Sequence, residues 1–473
     1  MKRRMHSAVA LAVLTALSGC TLAPRYERPA APVADEFPAQ PSANAGEGLS
    51  AADIGWREFF PQQTLQDLIG RALANNRDLR VAALNVEAAR AQYRIRQADI
   101  VPHVDAVGEG NSQRVPANLS QTGESYVTRQ YSAGLGVTAF ELDLFGRLRS
   151  LRRGALETYL SLEETRLSAE LALIAEVANA WLTLVADQEL LRLTRETYEV
   201  QRSSYDLTRL RFDSGVASEV DLHQAEIALR NAEVNISVYE RRVAQDRNAL
   251  ELLVGEPLGP EFDPSGASLD EQVLAHDIPA GLPAELLERR PDIRAAEHAL
   301  RAANANIGAA RAAFFPRISL TGFYGEAHPD LSDLFSEGQR TWSFVPQIRV
   351  PIFAGGANAA QLDLAQVRKR AEIARYEQAI QVAFREVADA LAARSTLDAQ
   401  LRAQEALTRA AENTYRLADM RYRNGVESYL TTLIAQRDFY AAQQALINTR
   451  LARASNLVLL YKALGGGWRE HSE

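Results

Sequence analysis

"RYRNGVES", residues 421–428, closes a run from Ala357 to Asn424 that contains neither Gly nor Pro. Nearly the same letters, "RFDSGVAS", stand at 211–218 and close a second such run, Ala155 to Ser214. After each shared Gly come 39 more residues without Gly or Pro, 216–254 and 426–464. Helices need stop signals, and these runs have none until the shared phrase. In the first run Leu167, Leu171, Ile174, Ala178, Trp181 and Val185 are spaced by fours and threes. Ile373, Tyr376, Ile380, Phe384, Val387 and Leu391 do the same in the second. That is an apolar seam at coiled-coil spacing. At about 1.5 Å per residue, a helix of 60 residues would be roughly 90 Å long.

The phrases belong to a longer duplication. Residues 211–255 match 421–465 at a constant offset of 210, with Arg211/Arg421, Phe212/Tyr422, Gly215/Gly425, Val216/Val426, Ser218/Ser428 and Gly255/Gly465 in register. Upstream the offset is 214, pairing Asp78/Asp292, Arg80/Arg294, Ala91/Ala305, Pro102/Pro316 and Gly108/Gly322. Two halves follow, 64–255 and 283–465. Each reads as a helix (64–99; 283–312), two extended segments (102–110 and 127–145; 316–325 and 341–353) and a long helical hairpin with its tip near 215 or 425. Residues 256–282, rich in Pro, Gly and Asp, link the halves, and 466–473 form a tail. Each short first helix is expected to stack end to end with one of the 39-residue helices.

Within the extended segments apolar residues alternate with polar or small ones. Val127, Tyr131, Ala133, Leu135, Val137 and Ala139 share one face, broken by Arg129. Trp342, Phe344, Pro346, Ile348, Val350 and Ile352 share another, as do Ile318, Leu320, Gly322 and Tyr324. Segment 102–110 alternates weakly. Period two with one apolar face marks a half-buried strand, and about ten residues also suits a strand of an outer-membrane barrel. Four strands cannot close around a lumen, since about eight are needed even for a filled barrel. Several copies must then pool their strands: two give a nearly filled barrel, three give twelve strands and room for solute. The fold class is mainly α with a small β part.

Composition narrows the function. The chain has 473 residues, 24% charged and 47% apolar, with net charge −8. It offers no electrostatic footing for nucleic acid. One Cys and seven scattered His exclude a disulfide framework and speak against a metal site. No His-Glu-x-x-His, phosphate-binding Gly loop or nucleophile elbow occurs, so neither an enzyme nor a cofactor is expected.

The first residues, "MKRRMHSAVALAVLTALSGC", have a basic start and a short apolar stretch, which reads as a secretory signal over 1–19. The ending Leu17-Ser18-Gly19-Cys20 resembles a bacterial lipobox, which implies lipidation of Cys20. By the same resemblance, Thr21 after the Cys implies sorting to the outer membrane. The segment 20–63 then reads as a lipid-anchored arm.

Taken together, "APRYERP" (23–29), "GWREFF" (55–60), "LANNRDLRVAALNVEAARAQYR" (73–94), "FELDLFGRLR" (140–149), "RRPDIRAAEHAL" (289–300), "FFPRISL" (314–320), "RYRNGVESYL" (421–430) and "LYKALGGGW" (460–468) carry a family resemblance. The chain resembles the TolC-type outer-membrane channels, in the lipoprotein (NodT-like) branch that serves resistance–nodulation–division (RND) pumps. The resemblance implies a homotrimer, a twelve-stranded transmembrane barrel and a periplasmic α-helical barrel. It implies a periplasmic adaptor protein and an inner-membrane pump as partners. It also implies a passive duct for drugs and other small toxic compounds, held in outer-membrane lipid. Asp213, Glu219, Asp221, Arg421, Tyr422, Arg423 and Glu427 are then expected at a periplasmic gate. Gly215, Val216, Gly425 and Val426 are expected as adaptor contacts. Two alternatives remain open: a type I secretion exit channel, and a coiled-coil scaffold lipoprotein without a channel.

Overall fold

The computed structural model describes residues 21–34, 37, 53–121, 123–264, 266–267, 269, 286–287 and 289–467. The expected signal segment, Cys20, all of 270–285 and residues 468–473 of the expected tail lie outside them. The chain forms two compact units, one from residues 1–30, 86–162 and 296–376, the other from 31–85, 163–295 and 377–473.

The first unit holds one antiparallel sheet of β1 (Asp105–Val115), β2 (Tyr126–Leu142), β3 (Arg317–His328) and β4 (Arg340–Arg349), in that spatial order. Leu135 pairs with Tyr324, and Tyr324 with Trp342, so three large apolar side chains form one row. Gly322 with Phe344 and Ile318 with Ile348 continue that face. Gly136, Phe323 and Ser343 lie on the other. Among the described residues, both outer strands leave an edge without a partner strand.

The strand limits differ from the sequence expectation for identifiable reasons. β1 starts three residues later than 102 and runs to Val115, through Asn111, Ser112, Gln113 and Arg114. Those polar residues are held by register against Val127–Gln130, not by alternation. β2 ends at Leu142 because Asp143 turns the chain: its carboxylate accepts from the N–H groups of Leu148 at 3.0 Å and Arg149 at 2.9 Å. Gly146, at φ +72°, completes that turn in the left-handed region. β4 stops at Arg349, before Pro351, which has no N–H for a ladder. Ala139 does not share the face of Val137. A bulge between Val137 and Phe140 puts Phe140 opposite Leu320 and leaves Ala139 at φ +50°.

Among the described residues, seven longer helices flank the strands in sequence: α1 (Gln63–Asn75), α2 (Arg77–Ala98), α3 (Arg147–Asp213), α4 (Glu219–Val254), α5 (Pro291–Ala312), α6 (Ala357–Arg423) and α7 (Tyr429–Ala463). The single helix expected over 64–99 is two. Asn76 breaks it with extended backbone, and its Oδ1 accepts from the N–H of Leu79 at 2.9 Å, capping α2. α5 starts at Pro291, the first-turn position that tolerates proline. Its repeat counterpart α2 has the same length, 22 residues, as α3 and α6 share a length of 67.

α3 begins before the run that announced it and takes Gly154 into its body. A Cβ there would stand 2.8 Å from the Asn306 Oδ1, and one at Gly308 would stand 2.6 Å from the Ser150 Oγ. The absence of side chains lets α3 and α5 approach closely. His298 Nδ1 and Glu157 Oε2 meet at 2.8 Å on the same joint. Residues 22–28 lie along α5: Arg28 forms a two-pronged contact with Glu297, Asn304 Nδ2 donates to the carbonyl of Pro24 at 2.8 Å, and Arg311 donates to that of Leu22 at 3.2 Å.

In the second unit the end-to-end joint occurs twice. Asn76 Nδ2 donates to the Leu253 carbonyl at 2.9 Å, where α4 ends, and Arg290 Nη1 donates to the Ala463 carbonyl at 2.9 Å, where α7 ends. Asn76 and Arg290 are repeat partners, as are Leu253 and Ala463. Nearby, Phe59 stacks on Tyr461 with ring centres 3.9 Å apart, and Phe60 meets both edge-on. Trp181, Leu182 and Val185 of α3 are buried, as are Leu65, Leu68 and Ile69 of α1.

Candidate functional site

The two hairpin tips, 213–219 and 423–429, share one backbone construction. At the first, Gly215 N–H donates to the Phe212 carbonyl at 2.8 Å and Val216 N–H to that of Arg211 at 2.8 Å. At the second, Gly425 donates to Tyr422 at 3.0 Å and Val426 to Arg421 at 2.9 Å. This is the pattern that ends a helix on a left-handed residue, and Gly215 and Gly425 stand at φ +74° and +72°. Val216 and Val426 follow at the apices, 77% and 63% exposed.

The returning helices are capped differently. Ser218 Oγ accepts from the Asp221 N–H at 3.1 Å, and the Asp221 carboxylate accepts from the Ser218 N–H at 3.2 Å, a reciprocal box. At the second tip Ser428 accepts from the Thr431 N–H at 3.4 Å, and Thr431, in place of Asp, donates to Glu427 at 3.2 Å. Asp221 is thus engaged in holding α4 in place.

Of the charged residues expected here, Arg421 and Glu427 are brought together at 3.3 Å. Arg423 pairs with Asp419 at 2.9 Å, one turn back on α6. Glu219 stands 3.8 Å from His223 on its own helix, and Asp213 is exposed where α3 ends. Among the described residues no ion pair joins one tip to the other. The link between hairpins is of another kind. The Arg211 guanidinium on α3 lies 4.8 Å from the ring centre of Tyr422 on α6. Tyr422 in turn lies 5.4 Å from Tyr429, which is buried and whose hydroxyl is pushed up to about 12, chiefly by burial. Arg211 and Tyr429 were absent from the residues expected at this site. Farther from the tips, Thr194 and Tyr440 hydroxyls meet at 2.8 Å, and Gln444 donates to the Tyr239 hydroxyl at 2.9 Å, again between hairpins.

Among the described residues one group has metal-ligand chemistry: His328, Asp330 and Asp333, with ligand atoms within 4.8 Å of one another. The His328 Nδ1 already accepts from the Asp330 N–H at 3.0 Å, and both carboxylates are exposed. Nothing there recommends a bound ion over a loop turn.

Two exposed-tip hairpins, duplicated within one chain together with a four-stranded sheet, suit an outer-membrane export channel. The comparisons agree. The model of the outer membrane efflux protein family matches residues 68–256 and 282–466. The antibiotic efflux pump outer membrane protein ArpC of Pseudomonas putida is 54% identical over 458 residues, covering 96% of this chain and 94% of that protein. The toluene efflux pump outer membrane protein TtgC, also of Pseudomonas putida, shows the same identity and coverage, 54%, 96% and 94%. The open state of the Neisseria gonorrhoeae MtrE outer membrane channel superposes with a TM-score of 0.88 at 40% identity, covering 96% of this chain and all of that one. The chain belongs to the outer membrane efflux protein family, in the TolC-type branch associated with RND pumps. It is an outer-membrane exit duct with a periplasmic helical part, and members of this family are not enzymes.

Proposed function

We propose that three copies close their sheets into one twelve-stranded barrel and that the hairpins continue it as a tunnel through the periplasm. The observation that carries this reading is the open sheet, with an apolar face and two unpaired edges among the described residues. In a bilayer every backbone N–H and C=O needs a partner, so such edges must be closed by other chains. A periplasmic adaptor docks on the tips around Gly215, Val216, Gly425 and Val426, and an RND-type pump feeds the duct from the inner membrane.

The tips form the gate, with Arg421, Tyr422, Arg423 and Glu427 at its inner rim and Asp213, Glu219 and Asp221 beside it. Exposed ion pairs are worth about 0–1 kcal/mol each, so adaptor docking has little to overcome. Cys20 carries the lipid anchor. The course of residues 22–28 supports this, because Leu22 lies at Arg311, near the end of α5 from which β3 departs. The cargo is small toxic molecules, including antibiotics and aromatic solvents of the kind named for the relatives.

Purified lipidated protein in a planar bilayer tests the reading. Trimer-sized particles passing ions are expected, and a single-copy, non-conducting particle would reject it. Deleting the gene and exposing cells to antibiotics and toluene tests the cargo: unchanged tolerance of all of them would remove that part.

A further inference from the structure

The two tips differ at one position that their shared construction does not explain. Asn424 and Ser214 are repeat partners and make the same contact. Asn424 Nδ2 donates to the Met420 carbonyl at 2.7 Å, and Ser214 Oγ donates to that of Leu210 at 2.8 Å. A hydroxyl is enough for that contact, so holding the helix end does not require the amide. What the amide adds is a carbonyl carbon that a neighbouring backbone nitrogen can attack. Asn424-Gly425 is the one Asn-Gly pair in the chain.

We propose that Asn424 is a self-modification site, at which the side-chain amide becomes a carboxylate at a rate set by opening of the second tip. The Gly425 nitrogen bonds to Asn424 Cγ, and the Cγ–Nδ2 bond breaks. The Gly425 amide proton goes to the departing nitrogen, which leaves as ammonia. Water then opens the resulting imide ring at either carbonyl. The product is aspartate, or isoaspartate with the backbone routed through Cβ and Cγ. Water is the only co-reactant.

The structure supplies both access and restraint. Asn424 and Gly425 are exposed, and a Cβ at Gly425 would meet nothing within 4 Å. The attacking nitrogen therefore carries no side chain and has open space around it. Restraint comes from hydrogen bonds. The Gly425 N–H donates to the Tyr422 carbonyl at 3.0 Å, and the Asn424 side chain is held by Met420. Both reacting groups are occupied while the tip is closed, and both are released when it opens. Asn413 is exposed on the body of α6 and is followed by Thr414, so it has neither the glycine nor a helix end beside it.

The product cannot restore the tip. An ionised carboxylate has no hydrogen to give the Met420 carbonyl, and it stands at the partly negative end of α6. The isomer also lengthens the backbone between Arg421 and Val426, whose hydrogen bond closes the turn. Ser214 has no carbonyl to attack, so the first tip is spared. Conversion therefore loosens the second tip alone, a consequence that rests on the gate reading above.

The test uses full-length lipoprotein in lipid nanodiscs, aged at mildly alkaline pH and read by peptide mass spectrometry. Conversion at Asn424 is expected to outpace that at Asn413. It is expected to run slower than in the same chain unfolded by guanidinium, and to rise several-fold in Arg211→Ala. Conversion no faster at Asn424 than at Asn413 would overturn the site. Equal rates in the folded and unfolded chains, or no rise in Arg211→Ala, would overturn control by the tip. In planar bilayers Asn424→Asp is expected to conduct more than Asn424→Ser. Equal conductance of these two, with Arg211→Ala raised, would overturn the loosening and leave the gate reading intact. No rise in any of the three would overturn both.

Discussion

The Arg211 guanidinium lies over the ring of Tyr422, and this pairing ties the end of one long helix to the end of the other. The salt bridges at the second tip do not. Arg421 with Glu427 and Arg423 with Asp419 each stay within one hairpin. A cation over an aromatic ring is worth about 0.5–1 kcal/mol when partly exposed. Arg211→Ala is therefore expected to raise single-channel conductance in planar bilayers. Arg421→Ala with Glu427→Ala is expected to do so less. Equal conductance for Arg211→Ala and the parent would remove this residue from the gate.

The glycines at helix ends separate strain from crowding. Gly215, at φ +74°, has open space where a Cβ would go. Gly215→Ala is expected to cost about 1 kcal/mol, from backbone conformation alone. Gly255, at φ +80°, would bring a Cβ to 2.6 Å from the Asn75 carbonyl oxygen. Gly255→Ala is expected to cost more, about 2–3 kcal/mol, because the joint between α4 and α1 must also shift. Thermal unfolding of the two variants compares them; equal midpoints would contradict the assigned crowding.

Two carboxyls meet between α3 and α4. Asp246 is pushed up to about 6, first by burial and then by the neighbouring Asp187 carboxylate, while Arg242 stands 3.9 Å from Asp187 and opposes this. Burial raises Asp187 too. A raised folded-state value means the fold takes up a proton more readily than the unfolded chain. That contribution is complete below the ordinary Asp value of about 4 and fades as pH rises through about 6. Asp246→Asn should raise the melting temperature at neutral pH and flatten its change across this window. A lowered melting temperature at neutral pH would refute the assignment.

Glu297 behaves oppositely. Burial disfavours its charge, but hydrogen bonds from Arg28, Tyr26 and Arg301 hold its carboxyl below the usual range. Its contribution is present at neutral pH and lost as pH falls through the depressed value. Glu297→Gln is expected to speed proteolysis between residues 21 and 34 at neutral pH, read by mass spectrometry. Unchanged cleavage would mean that the polar contacts at Pro24 and Leu22 suffice to hold the arm.

The long helices were legible because seven-residue spacing and missing stop signals speak locally. The repeat gave the hairpin tips by the same means. β1 was less legible: its distal half is polar on both faces and owes its place to Val127–Gln130 across the hairpin. The break at Asn76 was hidden because one side chain caps α2 and also reaches Leu253, a residue far along the chain. The candidate gate follows from the family resemblance and from its residues' places beside the two tips. Arg211 escaped because its partner is a ring on a different hairpin, and no spacing rule relates the two.

The stack of Phe59 on Tyr461 has a consequence for export of the newly made chain. The aromatic group around Phe59 and Phe60 stays without this cover until Tyr461, about 400 residues further along the chain, has followed. This part of the second unit therefore completes its core only once Tyr461 is present, and a chain ending before it would leave the faces of Phe59 and Phe60 to water.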